Sequence, residues 1–177
     1  MRTLITQRIQ AEYDQLSRLR LKRQLLDALA DVTSFASPQG MVDQEFEQIW
    51  QRLEADRKEN RLDEEDKAKD EETLKSEYRA IAERRVRLGL LLAEIGRMNS
   101  IVVGPDEMNR AMRAEASRYP GQEQQIFEFF RQNPRAAETL RGPLFEEKVV
   151  DYILELAKVE DKSATPEDLT KDPGEGA

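Results

Sequence analysis

The chain has 177 residues, enough for one ordinary domain or two small ones, and 38% of them are hydrophobic against 36% charged, which implies a modest core under much charged surface. Cysteine and histidine are both absent, so disulfides, thiol nucleophiles, the commonest zinc ligands and the usual general base near neutral pH are excluded. A net charge of −8 repels phosphate backbones, and the most basic stretch, Arg18, Arg20, Lys22 and Arg23, has no interleaved aromatic side chains to stack on bases; no nucleic-acid partner is expected.

From Leu4 to Ala30 the residues Leu4, Ile5, Ile9, Leu16, Leu19, Leu26 and Leu29 recur at helical spacing with no Gly or Pro between them, which predicts one long amphipathic helix. The amino terminus has no continuous apolar stretch or small-residue cleavage site, and nowhere does an apolar run reach membrane-spanning length. Neither a signal peptide nor a membrane partner is expected, and the cytoplasm is the default location. Ser34, Phe35, Ala36, Ser37 and Pro38 interrupt the helix; Ser37 is expected to cap the next one and Pro38 to sit in its first turn. On that second helix Val42, Phe46, Ile49 and Leu53 step by fours and threes and Trp50 follows Phe46 by four, so they form an apolar stripe. From Glu54 to Glu77 charged residues dominate, with Leu62 and Leu74 as the large aliphatics. This segment reads as a solvated helix tip or a mobile turn, with little to cover the stripe that runs into it.

The densest aliphatic run, Val86, Leu88, Leu90, Leu91, Leu92 and Ile95, led by Arg84, Arg85 and Arg87, predicts a buried central helix, with Gly89 and Gly96 letting another helix approach closely. The stretch from Ser100 to Pro105 breaks the pattern, and Pro105, Asp106 and Glu107 open a helix carrying Met108 and Met112 that Tyr119, Pro120 and Gly121 end. A short helix over 122–132 carries Ile126, Phe129 and Phe130 on one face with Phe127 to the side, and Asn133 with Pro134 is expected to cap the next start. The last strong helix holds Leu144, Phe145, Val149, Val150, Ile153, Leu154 and Leu156, with Gly142 and Pro143 expected to kink or break it near its beginning. After Lys158 the chain turns polar, with a weak cap signal at Thr165 and a frayed tail. No strand-like alternation or internal repeat appears, so the fold class is all-α.

Chemistry finds little to work with. Glu64 with Glu65 and Glu146 with Glu147 are adjacent, and neighbouring helical residues diverge by about 100°, so neither pair can flank one bond. Asp63, Glu64, Glu65 and Asp66 lack the spacing and the turn glycine of a calcium loop. No catalytic residue, metal or cofactor is expected, and the apolar helix faces are what remains to carry function.

RLKRQLLDALAD at 20–31, MVDQEFEQIWQRL at 41–53, AERRVRLGLLLAEI at 82–95, FFRQNP ending at Pro134 and FEEKVVDYILELAKVEDK at 145–162 resemble, in order and spacing, the carboxy-terminal chaperone domain of trigger factor. The resemblance implies an elongated multi-helix domain with protruding helical arms. It places a helical chaperone domain at 1–162, made of a leading helix at 1–34, an arm and central helix at 38–98, and a second arm and closing helix at 105–160, before a polar, partly disordered tail at 163–177. The family's ribosome-docking signature and its FKBP-type isomerase domain are not in this sequence, so the chain is expected to be no enzyme and to meet ribosomes only through a domain it lacks. The implied function is holding unfolded or nascent polypeptides without ATP. Candidate client-binding residues are Val42, Phe46, Ile49, Trp50 and Leu53 on the first arm, and Met112, Tyr119, Ile126, Phe127, Phe129 and Phe130 on the second. Tyr119, Ile126 and Phe129 match peptide-contacting positions of the family, and Met112 is a flexible neighbour. Two alternatives stand beside this reading: a helical scaffold or self-association module that uses the same faces for a fixed partner or a weak homodimer, and the related helical domain of periplasmic folding factors.

Overall fold

The computed structural model describes residues 2–165 and residue 168. Among them the chain is helical and has no strand: α1 (Arg2–Val32), α2 (Gln39–Lys58), α3 (Glu64–Ala68), α4 (Glu71–Met98), α5 (Pro105–Ala116), α6 (Glu123–Gln132) and α7 (Pro134–Leu156). Two compact units divide the chain, Met1–Leu90 with Glu160–Ala177, and Leu91–Val159, so that the boundary falls inside α4.

In the first unit α1 ends where Thr33 turns its hydroxyl back onto the Leu29 carbonyl at 2.5 Å. An Arg84–Asp27 ion pair joins α1 to α4, while Ile9 and Leu19, expected on the buried stripe of α1, stand 45% and 63% exposed. Helix α2 starts differently from the expectation. Pro38 is the N-cap residue and makes no side-chain cap, Met41 and Val42 donate to its carbonyl, and Ser37 is buried rather than capping. Helices α2 and α4 run antiparallel: Val42 packs with Ala82 and Val86, Phe46 meets Arg79, and Trp50 meets Lys75. The charged stretch from Glu54 to Glu77 is mostly helical, with α3 between the end of α2 and the start of α4. Asn60 takes a left-handed turn at φ 56°, the Asp63 carboxylate accepts from the Asp66 amide at 2.7 Å to cap α3, and the Asp70 carboxylate accepts from the Thr73 amide at 2.9 Å to cap α4. Local caps by Asp63 and Asp70 thus stand in for the missing apolar face.

In the second unit the core is Leu92, Met108, Met112, Ala116, Val149 and Val150. Gly96 is the close approach: a Cβ there would run into the Phe145 ring and lie 2.9 Å from Val149. At Gly89, by contrast, a Cβ would meet nothing within 4 Å, so the expected helix contact is absent there. After Ser100 (φ 54°), the loop to α5 is held at its carbonyls, with Lys148 Nζ donating to Val102 at 2.6 Å and the Arg141 guanidinium to Val103 at 3.2 Å. Glu107 closes the start of α5, accepting from the Gly104 amide at 2.7 Å and pairing with Lys148 at 2.8 Å. Asn133 is the N-cap residue of α7 and Pro134 its first, as expected, but the Asn133 side chain makes no cap bond there; its amide bonds back to the Phe129 carbonyl at 2.7 Å and so finishes α6. Nor does Pro143 break α7, which runs through it from Pro134 to Leu156. Gly142 and Pro143 are exposed, so the carbonyl that Pro143 deprives of its helical donor is on the solvent side, where water can satisfy it. Thr165 and Asp168 bond reciprocally through amide and side chain at 3.1 and 3.2 Å, while 166–167 and 169–177, most of the expected tail, lie outside the described residues.

Candidate functional site

The α2 stripe is split by depth. Val42 and Leu53 are 2% and 8% exposed, whereas Phe46, Ile49 and Trp50 are half-buried. The sequence reading made all five accessible; the antiparallel packing of α4 takes the two ends of the stripe into the core. Phe46 and Trp50 stack with centroids 5.8 Å apart and planes 27° apart. Over them lie two cations of α4, Lys75 Nζ at 5.4 Å from the Trp50 ring and the Arg79 guanidinium at 5.9 Å from the Phe46 ring. Each such contact is worth only about 0.5–1 kcal/mol at an accessible site, so the roof is easily displaced. Trp50 Nε1 donates to Glu54 at 3.1 Å. Beside the stripe Ile49, Leu53 and Tyr78 line a cavity of about 400 Å³ rimmed by Glu45, Arg52, Asp56 and Arg85.

The second cluster lies on α6 and the turn before it. Phe129 and Tyr119 are 51% and 47% exposed, and Ile126, Phe127 and Phe130 are half-buried. Phe130 meets Phe129 edge-on at 5.6 Å. Phe127 turns toward α5, where the Arg113 guanidinium stands 5.1 Å from its ring. Met112, expected as an adaptable surface neighbour, is 7% exposed and belongs to the core beneath.

Sequence reasoning missed a third apolar surface. Met98, Val102 and Leu156 are each 70% exposed, and Ile101, Val102, Val103 and Phe145 line a cavity of about 440 Å³ together with Glu138, Arg141 and Gly142. Its signal was available: β-branched residues in a break between helices have no helical face on which to be buried.

The displaced ionisations are structural in origin. Hydrogen bonds donated to the Glu65 and Glu77 carboxylates hold the Lys69 ammonium well above its ordinary value. Burial, then the bond to Asp66, does the same to the Tyr78 phenol. The Thr73 amide holds Asp70 low, and Lys148 followed by the Gly104 amide holds Glu107 low. The displacements at Lys69, Asp70 and Glu107 belong to caps and ion pairs, and that at Tyr78 to the bond that ties α3 to α4. What the surfaces offer is shallow apolar area edged by cations, suited to reversible contact with side chains.

A family model described as the C-terminus of bacterial trigger factor protein matches residues 1–155. The trigger factor of Gluconacetobacter diazotrophicus is 69% identical over 173 residues, covering 98% of this chain and 39% of that protein. That of Granulibacter bethesdensis is 66% identical over 172 residues, with 97% and 39% covered. The chain therefore spans about two fifths of the length of these relatives. A solved structure of trigger factor domains from Thermotoga maritima matches with a TM-score of 0.62 at 16% identity, over 76% of this chain and 79% of that one, a likeness of fold.

Proposed function

The chain belongs to the bacterial trigger factor family, whose carboxy-terminal part it matches, and on that premise we propose that it holds unfolded or nascent polypeptides on apolar helix faces, without ATP and without catalysing a reaction. The observation that carries this reading is the α6 cluster, where Phe129 is 51% exposed beside three more large apolar side chains that are half-buried. The contacting residues are Tyr119, Ile126, Phe127, Phe129 and Phe130 on the second segment, 105–160, and Phe46, Ile49 and Trp50 on the first, 38–98. Val42, Leu53 and Met112 support them from the core. Burying one client Leu or Phe supplies about 1.5–3 kcal/mol before ordering costs, so one patch alone is weak and several along one client act through effective concentration. Such binding is reversible, which suits transient holding. The proposed site of action is the cytoplasm; separately, no helix among the described residues is long and apolar enough to cross a membrane. Residues 1–162 form the holding domain, and ribosome attachment and proline isomerisation are left to other parts of the relatives.

The test is suppression of aggregation of a chemically unfolded protein diluted into buffer. Suppression that rises with chaperone concentration, is competed by an unrelated unfolded polypeptide and needs no nucleotide is expected. Binding that unrelated polypeptides fail to compete would point instead to a fixed partner and overturn the reading.

A further inference from the structure

Residues 59–70 double back from the end of α2 across the start of α4. Their α3 helix is tied there at two points, by the Tyr78 hydroxyl donating to Asp66 and by Lys69, whose ammonium pairs with Glu77 at 2.9 Å. Under this strap Leu74 is 4% exposed, and the space between Leu74 and Leu62 is a cavity of about 130 Å³. Leu62 is the one large apolar side chain in the strap, and it is only half-buried. Lys67 pairs with Glu64 at 2.7 Å and Arg61 with Asp56 at 2.9 Å, pairs that are exposed and contribute little to closure. A cover that buries little of its own apolar area, leaves a void beneath it and is fastened by a few polar contacts lies at the low end of local opening energies. The covered residue, Leu74, lies one helical turn before Tyr78 on the same face of α4, and Tyr78 lines the cavity beside Ile49 and Leu53, so the concealed surface adjoins the α2 stripe.

We propose that the strap 59–70 is a polar-latched lid that opens to add Leu74 and its surroundings to the stripe, so that the occupant admitted is a longer apolar stretch of an unfolded polypeptide. This rests on the reading of the stripe as a client surface. Both halves of the latch act alike: loss of the Tyr78 hydroxyl or of the Asp66 acceptor frees the strap while leaving the α2–α4 core of Val42, Ala82 and Val86 intact.

The experiment compares the full chain with Tyr78→Phe, Asp66→Ala and the double variant by hydrogen exchange of residues 59–70, and by titration of Trp50 fluorescence with a permanently unfolded carboxymethylated polypeptide. Exchange in the strap is expected to quicken about 3–10-fold in each single variant, the loss of one hydrogen bond, with little more in the double variant because the two share one bond. Client affinity is expected to rise by a similar factor. A Leu62→Ala variant, which removes the strap's apolar anchor and touches no latch residue, is expected to act in the same direction. Unchanged exchange in all variants overturns the lid, as does faster exchange with unchanged or weaker client affinity. A client that leaves Trp50 emission unaltered in the intact chain defeats the reading of the stripe as a client surface and this inference with it, whereas a responsive Trp50 with unresponsive variants defeats the lid alone.

Discussion

Gly96 and Gly89 lie one heptad apart on α4 and read alike in sequence, yet a Cβ at the first would press on Phe145 and Val149 while at the second it would meet nothing within 4 Å. Gly96→Ala is therefore expected to cost about 1–3 kcal/mol through overpacking, and Gly89→Ala to be neutral or to gain up to about 1 kcal/mol from helix propensity; urea titrations of the two variants check this. Glu107 carries a pH dependence. Its carboxyl is held low by Lys148 and then by the Gly104 amide, so its contribution is fully present above its ordinary value of 4.5 and is lost as pH falls through the lowered folded value. Thermal melts at descending pH are expected to steepen below about pH 4 and to be flatter in Glu107→Gln. Trp50, half-buried under Lys75, is expected to emit between the fully wet and fully buried extremes and to shift to the blue with client. Trp50→Ala is expected to weaken client binding while costing well under the roughly 3 kcal/mol of a truncated core tryptophan. A loss of that size or greater, with client binding unchanged, would make the ring a structural one.

At the level of elements, α6 and α7 carry the sharpest tests. Replacing Phe129 and Phe130 of α6 by Ser is expected to reduce aggregation suppression several-fold while the urea transition stays cooperative, because Phe129 is exposed and Phe130 leans on its edge. An unfolded double variant would assign the rings to the core. Pro143 sits in the interior of α7 on an exposed turn, where proline removes a helical hydrogen bond and strains the backbone by up to about 3 kcal/mol relative to alanine. Pro143→Ala is expected to raise the melting temperature of the chain, measured by circular dichroism.

At the scale of the whole chain, the holding proposed above carries its own test. Added in trace amounts, the chain is expected to leave a proline-limited refolding rate unchanged, and acceleration would assign it a catalytic function. Its charge of −8 and the absence of the family's docking signature also predict no stoichiometric co-sedimentation with ribosomes at physiological salt.

Much of the fold could be read from residue order. Helical spacing located the helices, Pro105 and Pro134 marked two starts, and the lack of alternation excluded strands, because these are local properties of the backbone. The family resemblance was legible in the arginine-led leucine run and the closing helix for the same reason: both are contiguous. Depth was not legible. Val42 and Trp50 share one stripe in the sequence, but α4 lies over the first and reaches the second only with the end of a lysine, a distinction set by antiparallel packing of segments some thirty residues apart. The charged stretch after Glu54 looked uncovered because sequence shows what a segment can bury and not what can fold back over it; Asp66 with Tyr78 and Lys69 with Glu77 close it through contacts that exist only in three dimensions. Local pattern determined where this chain is helical, and tertiary packing decided which of its apolar side chains still face water.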